Sequence, residues 1–406
     1  MVLRLNRGSL LACVLAATPL ALSACAAAAP ARIESPAAPT RGALVSAVLL
    51  ESPDRAALQA FADDLPGGLR VAQGADLYRL TYRTVSKGRS VEASALVAVP
   101  ADPARLKGTV AYLHGTNVTR ALSPSMPDRA DGNQEAAVFA GAGYLTLLPD
   151  YIGLGVSTEP QAYVVVQPQV DASLDLLRAA RTFAQREGWP LPSDLFLMGF
   201  SQGGQSAAGL HRELERTPLP GYVLKATAAI AGPHALADLL VEKTRPPASI
   251  EPVNIAYVAF AVTAYSVYYD RPLAQTVPAD LAARLPGLFD GSHEPGEIIA
   301  ALPADAADLF RPEVLAALQA RPDHWLHRAL AENDTDAWVP RAPLRIITGQ
   351  ADRDVTPASS RALYDHARAR GGAVEWVSIE GADHMGTAAA SYAPVLAWFD
   401  RLSATP

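Results

Sequence analysis

Residues 195–209 read Leu-Phe-Leu-Met-Gly-Phe-Ser-Gln-Gly-Gly-Gln-Ser-Ala-Ala-Gly. An apolar run meets Gly-Phe-Ser-Gln-Gly, which fits the pattern G-x-S-x-G, and small residues continue at Gly204, Ser206, Ala207, Ala208 and Gly209. A strand, a sharp turn and a tightly packed helix write such a string. The glycines flanking Ser201 remove side chains that would clash in so tight a turn. The turn pushes the Ser201 hydroxyl out at the carboxyl edge of a sheet, at a helix N-terminus. Ser201 is therefore the candidate nucleophile.

A serine hydroxyl is a poor nucleophile and needs a base, which in turn needs an orienting acid. With a nucleophile on such an elbow, the acid and then the base follow along the chain. His384 lies in VSIEGADHMG, directly after the strand-like AVEWVSI, and is the candidate base. His211 and His366 fall in predicted helices, His234 comes too early, and His293 sits in a Gly/Pro-rich loop. His324 and His327 are spaced as a helical pair, but no third ligand accompanies them, so no metal is expected. The acid belongs on the loop after the preceding strand, LRIIT, where Asp352 stands at the first bend beyond Gly349. Asp354 is its competitor, and Asp383 adjoins His384 too closely to reach the ring without strain.

Acyl transfer also needs preorganised N–H donors for the oxyanion. One is expected from the backbone of Gln202, the residue after the nucleophile. The other is expected from the loop His114-Gly115-Thr116-Asn117, which follows the apolar strand Val110–Leu113. Thr116 is the preferred donor, Asn117 the next, and His114 reads as a structural residue holding the loop.

These pieces, in this order, resemble the α/β-hydrolase superfamily over roughly residues 75–400. The segment YLTLLPDYIGLGVS, with Asp150-Tyr151-x-Gly-x-Gly, narrows the resemblance. Together with His-Gly-Thr at 114–116 and the Ser201 motif, it is similar to the secretory lipase family and its bacterial lipoprotein relatives. The resemblance implies hydrolysis of carboxylic esters, acylglycerols included, by a Ser-Asp-His triad without a cofactor. Asp150 and Tyr151 either shape the rim of the site or, for the aspartate, cap the glycine turn from within.

The N-terminus points to export. Arg4 and Arg7 precede the apolar stretch LLACVLAATPLAL, which ends at Leu22-Ser23-Ala24-Cys25. That is the layout of a secretory signal peptide, too short for a good membrane span. Its last four residues resemble a bacterial lipobox, which implies cleavage before Cys25 and lipid attachment to it. Ala26 after the cysteine resembles the outer-membrane pattern of Gram-negative bacteria. The chain has two cysteines, Cys13 and Cys25, and Cys13 leaves with the leader. A mature chain then has no disulfide and no thiol nucleophile.

Composition sets the outer limits. The chain has 406 residues, 50% hydrophobic and only 18% charged, which suits a large buried core. Its net charge of −7, more negative still without the leader, argues against a nucleic-acid partner. Anchoring to a membrane would therefore rest on lipid rather than on charge.

The expected organisation is a signal peptide over 1–24 and a lipidated Ala/Pro-rich tether over 25–43. A mostly parallel sheet flanked by helices then runs over 44–235 and resumes over 341–406. Between ATAAIAG at 226–232 and the strand at 344–348 lie too many residues for a simple connection. They read as a helical cap, 236–340, inserted before the strand that carries the acid. Inside it, PVNIAYVAFAVTAYSVYY at 252–269 carries no charge and reads as a buried cap helix or a lid over an acyl site, not as a membrane span. Tyr257, Phe260 and Val267 share helical spacing, which predicts one substrate-facing side.

Three functions fit these residues. An esterase or lipase comes first. A peptidase or acyltransferase on the same fold is the alternative, with Glu251, Glu294 and Glu297 as possible amine-holding carboxylates. A non-catalytic envelope binding protein is the third, and an intact candidate triad speaks against it.

Overall fold

The computed structural model describes residues 40–245, 251–320 and 324–403. Cys25 and the leader lie outside them. Nine strands form one sheet: β1 (Leu44–Glu51), β2 (Ala75–Ser86), β3 (Arg89–Pro100), β4 (Thr109–Leu113), β5 (Leu145–Pro149), β6 (Asp194–Phe200), β7 (Val223–Ile230), β8 (Leu344–Gly349) and β9 (Val374–Ile379). Their order across the sheet is β1-β2-β3-β5-β4-β6-β7-β8-β9. The pairings β1/β2, β2/β3 and β3/β5 are antiparallel, and every other pairing is parallel.

Local sequence explains the pieces. β2 and β3 form the expected hairpin around Lys87 and Gly88, both at positive φ, 48° and 74°. Such a two-residue turn matches the twist of the strands it joins. The parallel strands β4, β5 and β6 are apolar runs buried on both faces, as helix-covered sheets require. Helix α1 (Arg55–Asp63) and a short helix α2 (Asn133–Glu135), which continues as a π turn over Ala136–Ala140, lead to α3 (Val166–Glu187) and α4 (Gln202–Arg216). α3 and α4 cover one face of the sheet. α1, the π turn and the final helix α12 (His384–Ser403) cover the other.

The cap contains helices and no strands among its described residues: α5 (Leu236–Lys243), α6 (Pro252–Tyr268), α7 (Ala279–Leu288), α8 (Pro295–Ala301), α9 (Pro312–Ala320) and α10 (Trp325–Glu332). It has its own apolar core, in which Phe260 is sandwiched between Tyr163 and Phe289 with ring centroids 4.2 and 4.6 Å away. No helix among the described residues is long and apolar enough to cross a membrane. α11 (Pro357–Ala369) links β8 to β9.

Two elements differ from the sequence reading. The chain is already docked at residue 41, inside the stretch read as tether: Arg41 pairs with Asp171 and Asp175 on α3, at 2.6 and 3.1 Å. β1 is not apparent in the sequence either, because its exposed residues Val45, Val48 and Leu49 fall on both faces and blur the alternation of an edge strand.

Candidate active site

Ser201 stands between β6 and α4 with φ 55° and ψ −121°. A non-glycine residue held there stores about 1–3 kcal/mol of strain, tolerated only where the surroundings impose it. They do so here. The Ser201 N–H donates to the Ile230 carbonyl of β7 at 2.9 Å, and the Ser201 carbonyl accepts from the Gly204 N–H at 2.8 Å. The flanking glycines are a packing requirement: a Cβ at Gly199 would strike the Gly203 carbonyl, and a Cβ at Gly203 would strike the Leu113 carbonyl.

Three buried side chains then meet. His384 Nε2 lies 2.9 Å from Ser201 Oγ, and His384 Nδ1 lies 2.8 Å from Asp352 Oδ2. An ionised carboxylate can only accept, so Nδ1 carries the proton and Nε2 is free to accept from the serine hydroxyl. The second oxygen of Asp352 accepts from the backbone N–H groups of Asp354 and Val355, both at 2.9 Å. The carboxylate is therefore fixed at both oxygens before it meets the ring.

The competing acids are engaged elsewhere. Asp354 accepts from the Asn254 amide of α6 at 2.7 Å. Asp383 accepts from the Gly386 N–H at 2.8 Å and so caps the start of α12. His234, set aside on chain order, is fully buried, and burial pushes it down to about 3. His114 is also buried and lowered by desolvation; its Nδ1 contacts the Gly115 carbonyl at 2.7 Å, and its ring lies against Tyr151. It holds its loop, as the sequence suggested.

Gln202 opens α4, where a backbone N–H has no partner within the helix. The loop after β4 abuts the elbow, since Gly203 packs on the Leu113 and His114 carbonyls. Thr116 on that loop bonds through its hydroxyl to Tyr163 at 2.9 Å. Asp150 resolves to the buried alternative: its oxygens take the Ser94 and Ser125 hydroxyls, each at 2.5 Å, and the Ser125 N–H at 2.8 Å. Burial raises its carboxyl, opposed by those hydrogen bonds. Tyr151, at φ 69°, donates to the His114 carbonyl at 3.1 Å. Tyr151 thus braces the loop behind the site, and Asp150 ties β3 to the segment at Ser125.

A cavity of about 60 Å³ opens beside Ser201 and Gln202, walled by Tyr163, Leu236, Leu240 and the α6 residues Asn254, Tyr257, Val258 and Ala261. This corrects the expected substrate face. Tyr257 lies on it, but Phe260 is turned aside into the cap's aromatic stack, and Val267 is exposed near the far end of the helix. The helix presents 254, 257, 258 and 261, a pattern of i, i+3, i+4 and i+7 hidden because all sides of α6 are apolar. Sequence reasoning also missed Tyr163, a loop residue that no motif marks, and Lys243, whose ammonium donates to the Arg353 carbonyl on the acid loop. Asn254 did carry a signal, being, with Thr263 and Ser266, one of the few polar residues in a mostly apolar helix.

Comparison by sequence matches no family model and no curated protein. Comparison by structure is more informative. A protein of Legionella pneumophila assigned to the hydrolases superposes with a TM-score of 0.82 at 27% identity, over 89% of this chain and 98% of that one. The rice cell wall degrading esterase LipA from Xanthomonas oryzae gives 0.77 at 24% identity, over 90% and 97%. Candida antarctica lipase A in its closed state gives 0.67 at 15% identity, over 90% and 83%. This chain has the α/β-hydrolase fold.

Proposed function

We propose that the protein is an exported serine hydrolase that cleaves carboxylic esters through an acyl-enzyme on Ser201. The observation that carries this reading is the hydrogen-bonded series Ser201–His384–Asp352 at a strained strand–helix elbow. Esterases and lipases among the similar structures support the reaction class.

In this reading His384 Nε2 takes the Ser201 proton as Oγ attacks the ester carbonyl. The carbonyl oxygen gains charge and is held by the N–H of Gln202 and that of Thr116. Asp352 stabilises the imidazolium. His384 then returns the proton to the leaving alkoxide, and the alcohol departs. Water, deprotonated by the same imidazole, attacks the acyl-enzyme; the acid leaves and Ser201 regains its proton. The acyl chain occupies the cavity under α6, where each buried methylene contributes about 0.8 kcal/mol.

Purified protein offered a graded series of acyl esters beside aminoacyl-anilides tests this directly. Turnover of the esters supports the proposal. Turnover confined to the anilides would replace it with a peptidase. Glu294 and Glu297 offer such a peptidase no amine site, because Glu297 accepts from the Glu294 N–H at 3.0 Å and the two form the exposed cap of α8.

The corrected α6 face gives a sharper expectation. Ala261→Phe should lower kcat/KM for long-chain relative to short-chain esters by roughly tenfold, the worth of one or two methylenes. Phe260→Ala should instead cost about 3–5 kcal/mol of stability by opening the aromatic stack. A chain-length profile moved by Phe260→Ala and untouched by Ala261→Phe would restore the original face.

Export and anchoring belong to the same proposal and rest on Leu22-Ser23-Ala24-Cys25 after an apolar leader. Cys25→Ser should abolish lipid labelling and release active protein from the membrane fraction. Attachment of more than one acyl chain is needed for stable anchoring. A mature N-terminus mapped anywhere but Cys25 would rule it out.

A further inference from the structure

A second chamber, of about 210 Å³, lies on the other side of Tyr257. It runs between the Thr116 loop and the cap, with Leu122, Val253, Ala256 and Ile298 among its apolar walls. Thr116 and Tyr257 line it, and Tyr257 also lines the cavity beside Ser201. An ester held at Ser201 can therefore have its acyl part on one side of Tyr257 and its alcohol part on the other.

Asp131 is the one formally charged side chain in this second wall. Among the described residues it makes no hydrogen bond and no ion pair. Burial alone pushes its carboxyl up to about 6. Neighbouring groups are committed elsewhere. Glu135 accepts from the Gly132 N–H and the Tyr392 hydroxyl. Arg129 is engaged by Glu51 and Asn133. A carboxylate partly withdrawn from water is costly unless something supplies the missing partner. Here no protein cation does, and the space in front of it reaches Thr116 and Tyr257, the second of which also walls the cavity beside Ser201.

From this geometry, and resting on the ester-hydrolase reading above, we infer that the second chamber receives the alcohol part of the ester and that Asp131 selects an alcohol bearing an alkylated ammonium group. The charge meets the unpartnered carboxylate, the alkyl groups meet the apolar walls, and the Tyr257 ring offers a π face to the cation. The chain's net charge of −7 also favours the approach of a cation. The products are a carboxylic acid, retained briefly as the acyl-enzyme, and a free cationic alcohol.

Two esters of one acid test this: butyrylcholine, and its neutral isostere in which carbon replaces the quaternary nitrogen. At low salt the full chain should show kcat/KM about tenfold or more higher for the cationic ester, and Asp131→Asn should bring the ratio close to one. The ratio is read on one preparation, so loss of folded protein cancels. Should Asp131→Asn fail to fold, inhibition of wild-type p-nitrophenyl butyrate hydrolysis decides: choline should compete more strongly than its neutral isostere. A wild-type ratio near one, a ratio unchanged by Asp131→Asn, or equal inhibition by the two alcohols overturns the inference while leaving ester hydrolysis intact. No turnover of any ester, p-nitrophenyl butyrate included, overturns the ester-hydrolase reading and this inference with it.

Discussion

Ser201→Ala is expected to lower kcat toward good acyl esters by roughly 10⁴-fold or more, with little change in folding stability. The size follows from the site's construction. Ser201 Oγ is the one hydroxyl 2.9 Å from His384 Nε2, and the elbow leaves no second nucleophile at the same point. Residual rate over water would come from the oxyanion donors and substrate binding, which the substitution leaves in place. Removing a Cβ hydroxyl also deletes no apolar packing, so the protein should unfold at a similar temperature. A variant retaining near-normal turnover would place the nucleophile elsewhere.

The second large effect separates two neighbouring carboxylates. Asp352→Asn is expected to reduce kcat by roughly 10³–10⁴-fold, because an amide cannot hold the same tautomer of His384. Asp354→Asn is expected to cost less than about tenfold. Its carboxylate bonds to Asn254 on the cap, not to the imidazole. His384→Ala should match the loss at Ser201, since the three groups act as a unit. Measured kcat values for these variants on one short ester give the ranking. The reverse order would move the acid to Asp354 and leave the nucleophile standing.

The contrast between these two aspartates also shows where the sequence is legible. Gly199, Ser201 and Gly203 could be read in advance because a strained turn admits few residues. At Gly199 the collision is with the Gly203 carbonyl four residues on, whereas at Gly203 it is with the Leu113 carbonyl at the end of β4, far away in sequence. Asp352 and His384 could be placed because each follows a strand-like run, and strands of a parallel sheet deliver their loops to one edge. The hairpin over β2 and β3 was readable from a Lys-Gly turn between alternating runs.

Other features were not legible, for physical reasons. The orientation of α6 is not legible because apolar residues surround the helix and its few polar ones mark no single face from which to infer the buried one. Phe260 is an aromatic on that helix, but its neighbours Tyr163 and Phe289 come from a loop and from the C-cap of α7, and sequence spacing cannot bring them together. The unpartnered state of Asp131 was likewise invisible, since a lone acid beside a glycine reads as a solvated turn. Asp150 was left between two roles because its Ser94 and Ser125 partners are distant in sequence.

The most direct test of the central claim is covalent labelling of wild-type protein with a fluorophosphonate, followed by peptide mapping. The phosphonyl group should be carried by the peptide containing Gly199-Phe200-Ser201-Gln202-Gly203, at Ser201, with ester turnover lost in step with labelling. Label on a different serine, or full ester hydrolysis by protein labelled to completion at Ser201, would contradict it.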